Sequence, residues 1–263
     1  MTVAAEALEM RDVSAGYGAS DIIASVTLQA ARGRITTIAG PNGAGKSTLM
    51  KTLVGLLRPR RGQILTGGRD ITQLSPPQRA LAGLGYVPQE RNVFKNLTIG
   101  ENLRIGFEFI RRQASEKEFN AARDRVLDLF PDLSARLSDV AGTLSGGQRQ
   151  MLAMGCALIP GPTTLLLDEP SAGLSPRYVT TMLDAVAAVN LAGVTVVMIE
   201  QNLIEAMRVS HDVILLVAGG IRGKWDAGVF LSDPDVRSLF LGGANAKSRS
   251  SGRERGSDDA SAA

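Results

Sequence analysis

The spacing of apolar residues predicts a strand followed by a helix in the first part of the chain. The run at 35–39, Ile-Thr-Thr-Ile-Ala, has the β-branched composition of a buried strand. After a glycine-rich segment, Leu49, Leu53 and Leu56 recur at helical spacing, and we expect Pro59 to end this helix because proline cannot continue it. The predicted order is therefore strand, glycine loop and helix.

The same alternation returns in the second half of the chain. Apolar runs of strand length and stretches with helical periodicity follow one another at 163–167, 176–192, 195–199, 203–208 and 213–217. Such alternation is typical of an α/β fold.

A mostly helical stretch at 98–142 separates these two parts. Its apolar residues recur at helical spacing with charged residues between them: Phe119, Ala122, Val126 and Phe130. We therefore expect a helical subdomain at about 90–162, inserted into a domain that covers residues 1–243.

The C-terminal residues predict a short helix and then a tail. Asp233 followed by Pro234 is typical of a helix start, and we expect this helix to end near Leu241. Residues 244–263 contain no large apolar residue, which predicts a disordered tail.

Composition narrows the class of protein. The formal net charge is +3, and the single cysteine, Cys156, excludes an intramolecular disulfide and is typical of a reducing compartment. The N-terminus lacks a secretory signal pattern, and no apolar run approaches the ~20 residues needed to cross a bilayer. We expect a protein that is soluble by itself and cytoplasmic.

The basic clusters at 58–61 and 111–112 have no interleaved aromatic residues, so no nucleic-acid partner is expected.

The glycine-rich segment matches a phosphate-binding loop, G-x-x-x-x-G-K-[ST]. Its residues are Gly40-Pro41-Asn42-Gly43-Ala44-Gly45-Lys46-Ser47-Thr48. The glycines let backbone amides curl around phosphate oxygens, and the following helix directs its positive end there. Lys46 is expected to reach the β and γ phosphates, and the Ser47 hydroxyl to bind Mg²⁺.

Two carboxylates follow the apolar run at 163–167. Ligands bind at the carboxyl ends of strands in open α/β sheets, which is where Asp168 and Glu169 are expected. Asp168 would hold Mg²⁺, and Glu169 would orient and deprotonate the attacking water.

A third motif, Leu144-Ser145-Gly146-Gly147-Gln148, stands between the other two. A hydroxyl and two glycine amides before a helix, expected near Arg149, can form a second anion site. Ser145 can also act simply as the helix N-cap, but this role does not explain the paired glycines. One chain cannot bring two phosphate sites to a single γ phosphate, whereas a two-fold related partner can.

These motifs, in this order, resemble the ATP-binding subunit of an ABC transporter over residues 8–243. The resemblance implies a P-loop NTPase core with a RecA-like mixed sheet, an antiparallel β subdomain and an inserted α-helical signature subdomain. It also implies that Tyr17 stacks on adenine, and that Gln89 touches Mg²⁺ and the attacking water. ATP and Mg²⁺ are the implied cofactors.

Several segments are similar to one subgroup, the second ATPase of branched-chain amino acid (Liv-type) importers. They are Leu129-Phe130-Pro131, Ser171-Ala172-Gly173-Leu174-Ser175-Pro176, Ile199-Glu200-Gln201-Asn202 and the ending at 236–243. Importers of urea or short-chain amides are related alternatives. A soluble ABC ATPase acting elsewhere is a further alternative, and so is a regulatory module without turnover.

Three positions depart from the usual ABC pattern. Gln201 stands where most relatives have a histidine that contacts the γ phosphate, Ser175 where most have aspartate, and Cys156 where arginine is usual. An amide can donate a hydrogen bond but does not titrate near pH 7, so Gln201 is expected to position and Glu169 to act as the base. We expect the single histidine, His211, to be structural.

The resemblance implies several partners. They are two transmembrane permease subunits, a second ABC ATPase that is either identical or different, and a periplasmic substrate-binding protein. The expected location is the cytoplasmic face of the inner membrane, as a peripheral protein.

Overall fold

The computed structural model describes residues 6–90, 92–234 and 236. The strands are β1 (Glu6–Ala15), β2 (Ile23–Ala31), β3 (Ile35–Ala39), β4 (Arg61–Thr66), β5 (Arg69–Asp70), β6 (Leu84–Val87), β7 (Thr164–Asp168), β8 (Thr195–Ile199), β9 (Asp212–Val217) and β10 (Gly220–Asp226). The helices are α1 (Lys46–Val54), α2 (Pro76–Leu81), α3 (Ile99–Ile110), α4 (Glu116–Leu129), α5 (Pro131–Ser134), α6 (Gly146–Leu158), α7 (Pro176–Leu191), α8 (Leu203–Val209) and α9 (Ala227–Phe230). Within the described ranges, every helix is too short or too polar to cross a membrane.

The described strands form two sheets. The larger has the order β10-β9-β3-β8-β7-β6, in which β10 is antiparallel to β9 and the other neighbours are parallel. The smaller sheet, in the order β2-β1-β4-β5, is antiparallel. Helices α3 to α6 are inserted between β6 and β7. The predicted α/β fold class, with its antiparallel sheet and helical insert, is therefore confirmed.

Parallel pairing places three loops at one edge of the larger sheet. The glycine-rich loop follows β3, Glu169 follows β7, and Gln201 comes just after β8. The registers of β3 with β8 and of β7 with β8 align these strand ends, and Asp168 pairs with Ile199. The topology thus brings together segments that are far apart in sequence.

The helical insert has the apolar face that its spacing predicted. Phe119, Ala122, Val126 and Phe130 are all buried in one core that α3, α4 and α6 share with α7. The rings of Phe107 and Phe119 meet edge to face, with centroids 5.5 Å apart. This packing fixes the helix that carries the signature motif against the sheet.

The predicted end of the first helix is wrong. Helix α1 ends at Val54, before Pro59, because Gly55 adopts a left-handed conformation with φ of 85° and its amide donates to the Thr52 carbonyl. Leu56 therefore lies beyond the helix and is 61% exposed, whereas Leu49 and Leu53 are buried.

The C-terminal part contains two elements that the apolar pattern did not predict, β10 and α9. Strand β10 alternates partly buried and exposed residues along one edge of the sheet, so it lacks a continuous apolar run. The Asp233 carboxylate accepts from the Val236 amide at 3.2 Å, as an N-cap does. The rest of the helix expected up to Leu241, and the tail expected at 244–263, lie outside the described residues.

Candidate active site

The glycine-rich loop connects β3 to α1. Gly43 and Gly45 have φ of 80° and 102°, in the left-handed region that favours glycine. A Cβ at Gly40 would lie 2.2 Å from the Leu216 carbonyl oxygen, so only glycine fits at that position. No side chain caps the start of α1. The amides at this helix start can therefore bind an anion.

The ammonium group of Lys46 folds back over this loop. It donates to the carbonyl oxygens of Gly40 at 2.8 Å and Pro41 at 3.0 Å. Burial lowers the pKa of Lys46, while the negative charges of Glu169 and Asp168 act in the opposite direction. The lysine thus lies between the phosphate-binding loop and the two carboxylates.

Asp168 and Glu169 stand side by side at the end of β7. Burial is the main cause that raises the pKa of Asp168, and the charge of Glu169 adds to it. The backbone of Glu169 is left-handed, with φ of 50°, and its amide donates to the Ile199 carbonyl at 3.0 Å. The turn at Glu169 is thereby tied to the end of β8.

Two glutamine side chains converge on one oxygen of Glu169. The Nε2 of Gln89 lies 3.0 Å and the Nε2 of Gln201 lies 2.7 Å from Glu169 Oε2. Both glutamines are exposed, while Glu169 is only 8% exposed. These three residues, Gln89, Glu169 and Gln201, are the ones predicted from the sequence to be catalytic. They lie on three separate loops and form one cluster, the catalytic cluster.

Tyr17 lies on the turn after β1 and is 50% exposed. The ammonium of Lys51, on α1, lies 6.0 Å from the centre of its ring. Arg60 holds the same turn through Asp21 and the Gly18 carbonyl oxygen, each at 2.5 Å. Sequence reasoning treated the basic cluster at 58–61 as solvated surface and missed this contact.

The signature motif forms the start of α6. The helix begins at Gly146 rather than near Arg149, with Ser145 as the N-cap: its Oγ accepts from the Gln148 amide at 3.3 Å. Ser145 and Gly146 are exposed. A Cβ at Gly147 would lie 2.8 Å from the Tyr178 ring, so packing is one reason for glycine there. The capping role is thus real, and it leaves an exposed helix N-terminus.

Sequence reasoning assigned no role to Glu200, which is 2% exposed. Its carboxylate accepts from the amide and the hydroxyl of Ser171, at 2.9 and 2.8 Å. The available signal was its position directly after a buried strand, at the same sheet edge as Asp168.

The family model described as ABC transporter matches residues 23–172. The chain belongs to the ABC transporter family. One relative of this ABC ATPase is the probable branched-chain amino acid transport ATP-binding protein LivF of Archaeoglobus fulgidus, 38% identical over 88% of this chain and 96% of LivF. Another is the high-affinity branched-chain amino acid transport ATP-binding protein BraG of Pseudomonas aeruginosa, 37% identical over 90% of this chain and 100% of BraG.

Solved structures give the same assignment. The ADP conformation of an ATP-binding cassette of an ABC transporter superposes with a TM-score of 0.81 at 27% identity, covering 90% of this chain and 99% of that one. This ABC ATPase therefore has the fold of a cassette that binds nucleotide.

Two of the departures from the usual ABC pattern, and the single histidine, have local structural settings. The Nδ1 of His211 accepts from the Ile35 amide at 3.0 Å, which is a structural contact between β3 and the start of β9. Ser175 precedes α7 without capping it through its side chain. Cys156 is partly buried on α6, and burial raises its pKa to about 12, so the thiol is protonated at neutral pH.

Proposed function

We propose that this ABC ATPase binds and hydrolyses Mg-ATP to drive a branched-chain amino acid importer. The observation that carries the catalytic part is the convergence of Gln89 and Gln201 on Glu169, beside the phosphate-binding loop. The substrate class is proposed because LivF and BraG are named for branched-chain amino acid transport. A urea or short-chain amide importer is the alternative.

ATP would be held by its phosphates on Gly40 to Thr48 and by its adenine on Tyr17. Lys46 would neutralise the β and γ phosphates. Glu169 would take the proton of the attacking water, because it is the carboxylate that both amides orient. Gln201 would donate a hydrogen bond to Glu169, and its amide stays neutral near pH 7.

The donor set fits Mg²⁺, which we propose is held by Ser47, Gln89 and Asp168. No cluster of three or more His, Cys, Asp or Glu side chains suited to a metal occurs in the described part of the chain. Mg²⁺ needs no such cluster, because it binds through one or two carboxylates together with substrate phosphates. The two adjacent carboxylates, with Asp168 largely buried, favour a cation. The ion would neutralise charge that develops on the phosphates.

The signature motif would act on the nucleotide of a partner ATPase. Ser145 and Gly146 are exposed at the start of α6, where amides and a hydroxyl can meet a phosphate. Residues 144–148 would face the phosphate-binding loop of a second ABC ATPase, identical or not, with ATP closing the dimer. In a dimer with a two-fold axis, the signature motif of each chain would complete the nucleotide site of the other.

An apolar groove is the surface that we propose docks a cytoplasmic segment of a permease. The groove encloses about 510 Å³ between α2, α3 and α6. Its exposed large side chains are Leu56, Leu81, Phe94, Ile105 and Phe109. Phe94 lies on the connection from Gln89 to α3, so an occupant of the groove would contact the segment that also carries Gln89. A permease segment is the occupant favoured, because the chain belongs to a transporter family.

We propose that the chain acts as a peripheral protein on the cytoplasmic face of the inner membrane. Two permease subunits would carry the solute, and a periplasmic binding protein would deliver it to them.

Transport in a reconstituted system tests the proposal. The chain would be co-purified with candidate permeases and a second ATPase from its own source and placed in proteoliposomes with a binding protein. ATP-dependent leucine uptake supports the proposal, and its loss in Glu169→Gln links uptake to hydrolysis. Uptake of urea or acetamide instead favours the alternative, and failure of the chain to associate with any permease contradicts a transport role.

A further inference from the structure

A buried carboxylate joins the two loops that surround the catalytic cluster. Glu200 Oε1 accepts from the Ser171 amide at 2.9 Å. Its Oε2 accepts from the Ser171 hydroxyl at 2.8 Å and from the Gln201 amide at 3.2 Å. Glu200 therefore binds the loop after Glu169 and the loop after β8 through one side chain.

The chemistry of this contact is unusual for a buried charge. Burial raises the pKa of Glu200, and the hydrogen bonds from Ser171, Gln201 and Asn202 oppose that effect. The donors are amides and a hydroxyl, none of them a cation. Among the described residues the donors to this carboxylate are neutral, so the contact depends on their geometry and displacement of either loop weakens it.

The Ser171 loop also reaches the signature motif. Leu174 Cδ2 lies 3.5 Å from the position of a Cβ at Gly146, the first residue of α6. Residues 171–174 thus lie between the exposed start of α6 and the buried Glu200. On the other side of Glu200, Gln201 donates to Glu169 at 2.7 Å.

We propose that Glu200 is a positioning residue that fixes Gln201 against Glu169 and makes this alignment depend on the loop at 171–174. A partner seated on the signature motif would press on this loop, and Glu200 would transmit the displacement to Gln201. The inference rests on the proposed hydrolysis of ATP at Glu169, which it extends by naming the link between dimer closure and the catalytic base.

The test compares Glu200→Gln with the control Glu205→Gln on α8, whose carboxylate pairs with Arg208. The side-chain amide at position 200 keeps one acceptor oxygen, but its NH2 group then faces hydrogen-bond donors that the second carboxylate oxygen had accepted. We expect kcat to fall about tenfold to a hundredfold, since a displacement of about 1 Å at a catalytic group has that effect. The Kd for ATP should change less than twofold, and the control should match the wild type in both.

A double-mutant cycle separates positioning from general destabilisation. If Glu200 acts through Gln201, adding Gln201→Ala to Glu200→Gln should lower kcat little further. Additive losses of kcat would overturn the proposal, as would an unchanged kcat in Glu200→Gln. Ser171→Ala removes only the hydroxyl donor, so it gives a milder version of the same result if Glu200→Gln does not fold.

Amide hydrogen exchange without nucleotide tests the link independently of activity. Glu200→Gln should speed exchange at the Ser171 and Gln201 amides together, and Leu174→Ala should speed it at Gln201. Unchanged exchange at Gln201 in both variants would overturn the coupling. A wild-type chain that hydrolyses no ATP would contradict the proposed function, while these exchange measurements would still decide the role of Glu200.

Discussion

The side-chain amide of Gln201 donates to Glu169 Oε2 at 2.7 Å, although the two residues follow different strands. Glu169 comes after β7 and Gln201 after β8, and the register of these neighbours places the strand ends side by side. The neutral side-chain amide of Gln201 thus holds the Glu169 carboxylate, and the backbone amide of Glu169 is held by the Ile199 carbonyl. The arrangement makes Glu169 the group on which hydrolysis is expected to depend.

Replacing Glu169 with glutamine should remove hydrolysis and leave ATP binding intact. An amide cannot take a proton from water, whereas the phosphate-binding loop is unaltered. Size-exclusion chromatography with Mg-ATP should show a long-lived dimer for this variant. Glu108→Gln, an exposed change on α3, is the matched control and should turn over normally. Wild-type turnover by Glu169→Gln would remove Glu169 from its assigned role.

Gln201→Ala should slow hydrolysis while sparing ATP binding. The variant loses one of two amides on Glu169 Oε2, and Gln89 retains the other at 3.0 Å. We expect a decrease in kcat of about tenfold to a hundredfold, since one hydrogen bond to a charged group contributes about 1.5–3 kcal/mol and each 1.4 kcal/mol is a factor of ten. Steady-state assays with a separate measurement of the Kd for ATP check this, and an unchanged kcat would contradict it.

Tyr17→Ala should weaken ATP binding by roughly tenfold. Stacking of a base on an aromatic ring contributes about 1–3 kcal/mol, and each 1.4 kcal/mol is a factor of ten in Kd. Tyr17→Phe keeps the ring and should bind as the wild type does. Titration with ATP and with a triphosphate that lacks the base would locate the effect. Equal affinities for all three proteins would show that the ring is not the adenine site.

Arg79→Met should lower the melting temperature by about 10 °C. The Arg79 guanidinium is buried and donates to the carbonyl oxygens of Thr52, Leu53, Thr72 and Leu74. Burial lowers its pKa to about 10, so it remains protonated at neutral pH. Unpairing buried polar groups of this kind costs about 3–5 kcal/mol, and each kcal/mol shifts the midpoint by about 2–4 °C in a chain of this size.

The matched control for this variant is Arg69→Met, because Arg69 is exposed on β5. It should melt within about 2 °C of the wild type, since surface substitutions change stability by about 0.5 kcal/mol or less. Equal shifts for the two variants would show that the buried contacts of Arg79 do not stabilise the fold.

The thiol of Cys156 should react slowly in the folded chain. Because its pKa rises from an ordinary value of 9.0 to about 12, the thiolate fraction at pH 8 falls by about a thousandfold. The rate of modification by iodoacetamide should therefore be far lower in buffer than in concentrated urea, and should still be rising at pH 10. Equal rates in both solvents would contradict the assigned environment.

Much of the fold and the site was predictable because the relevant signals are local. The strand at 195–199, the helix start at Pro176 and the buried face of the helical insert follow from spacing along one element. The phosphate-binding loop requires glycine at positions where the backbone is left-handed or closely packed, and that requirement is visible as sequence. The errors came where a single residue overrode the periodicity, as Gly55 did at the end of α1.

The sequence by itself determined most of the elements and most of the residues that carry chemistry. Tertiary structure decided which of those residues meet. Strand order and register bring the side chains of Gln89 and Gln201 to Glu169 Oε2, and no spacing along the chain predicts that contact. The same holds for Glu200, since a buried carboxylate acquires its partners only when two strand ends lie side by side. The physical reason is that sheet pairing acts between distant segments, whereas periodicity reports only on neighbours.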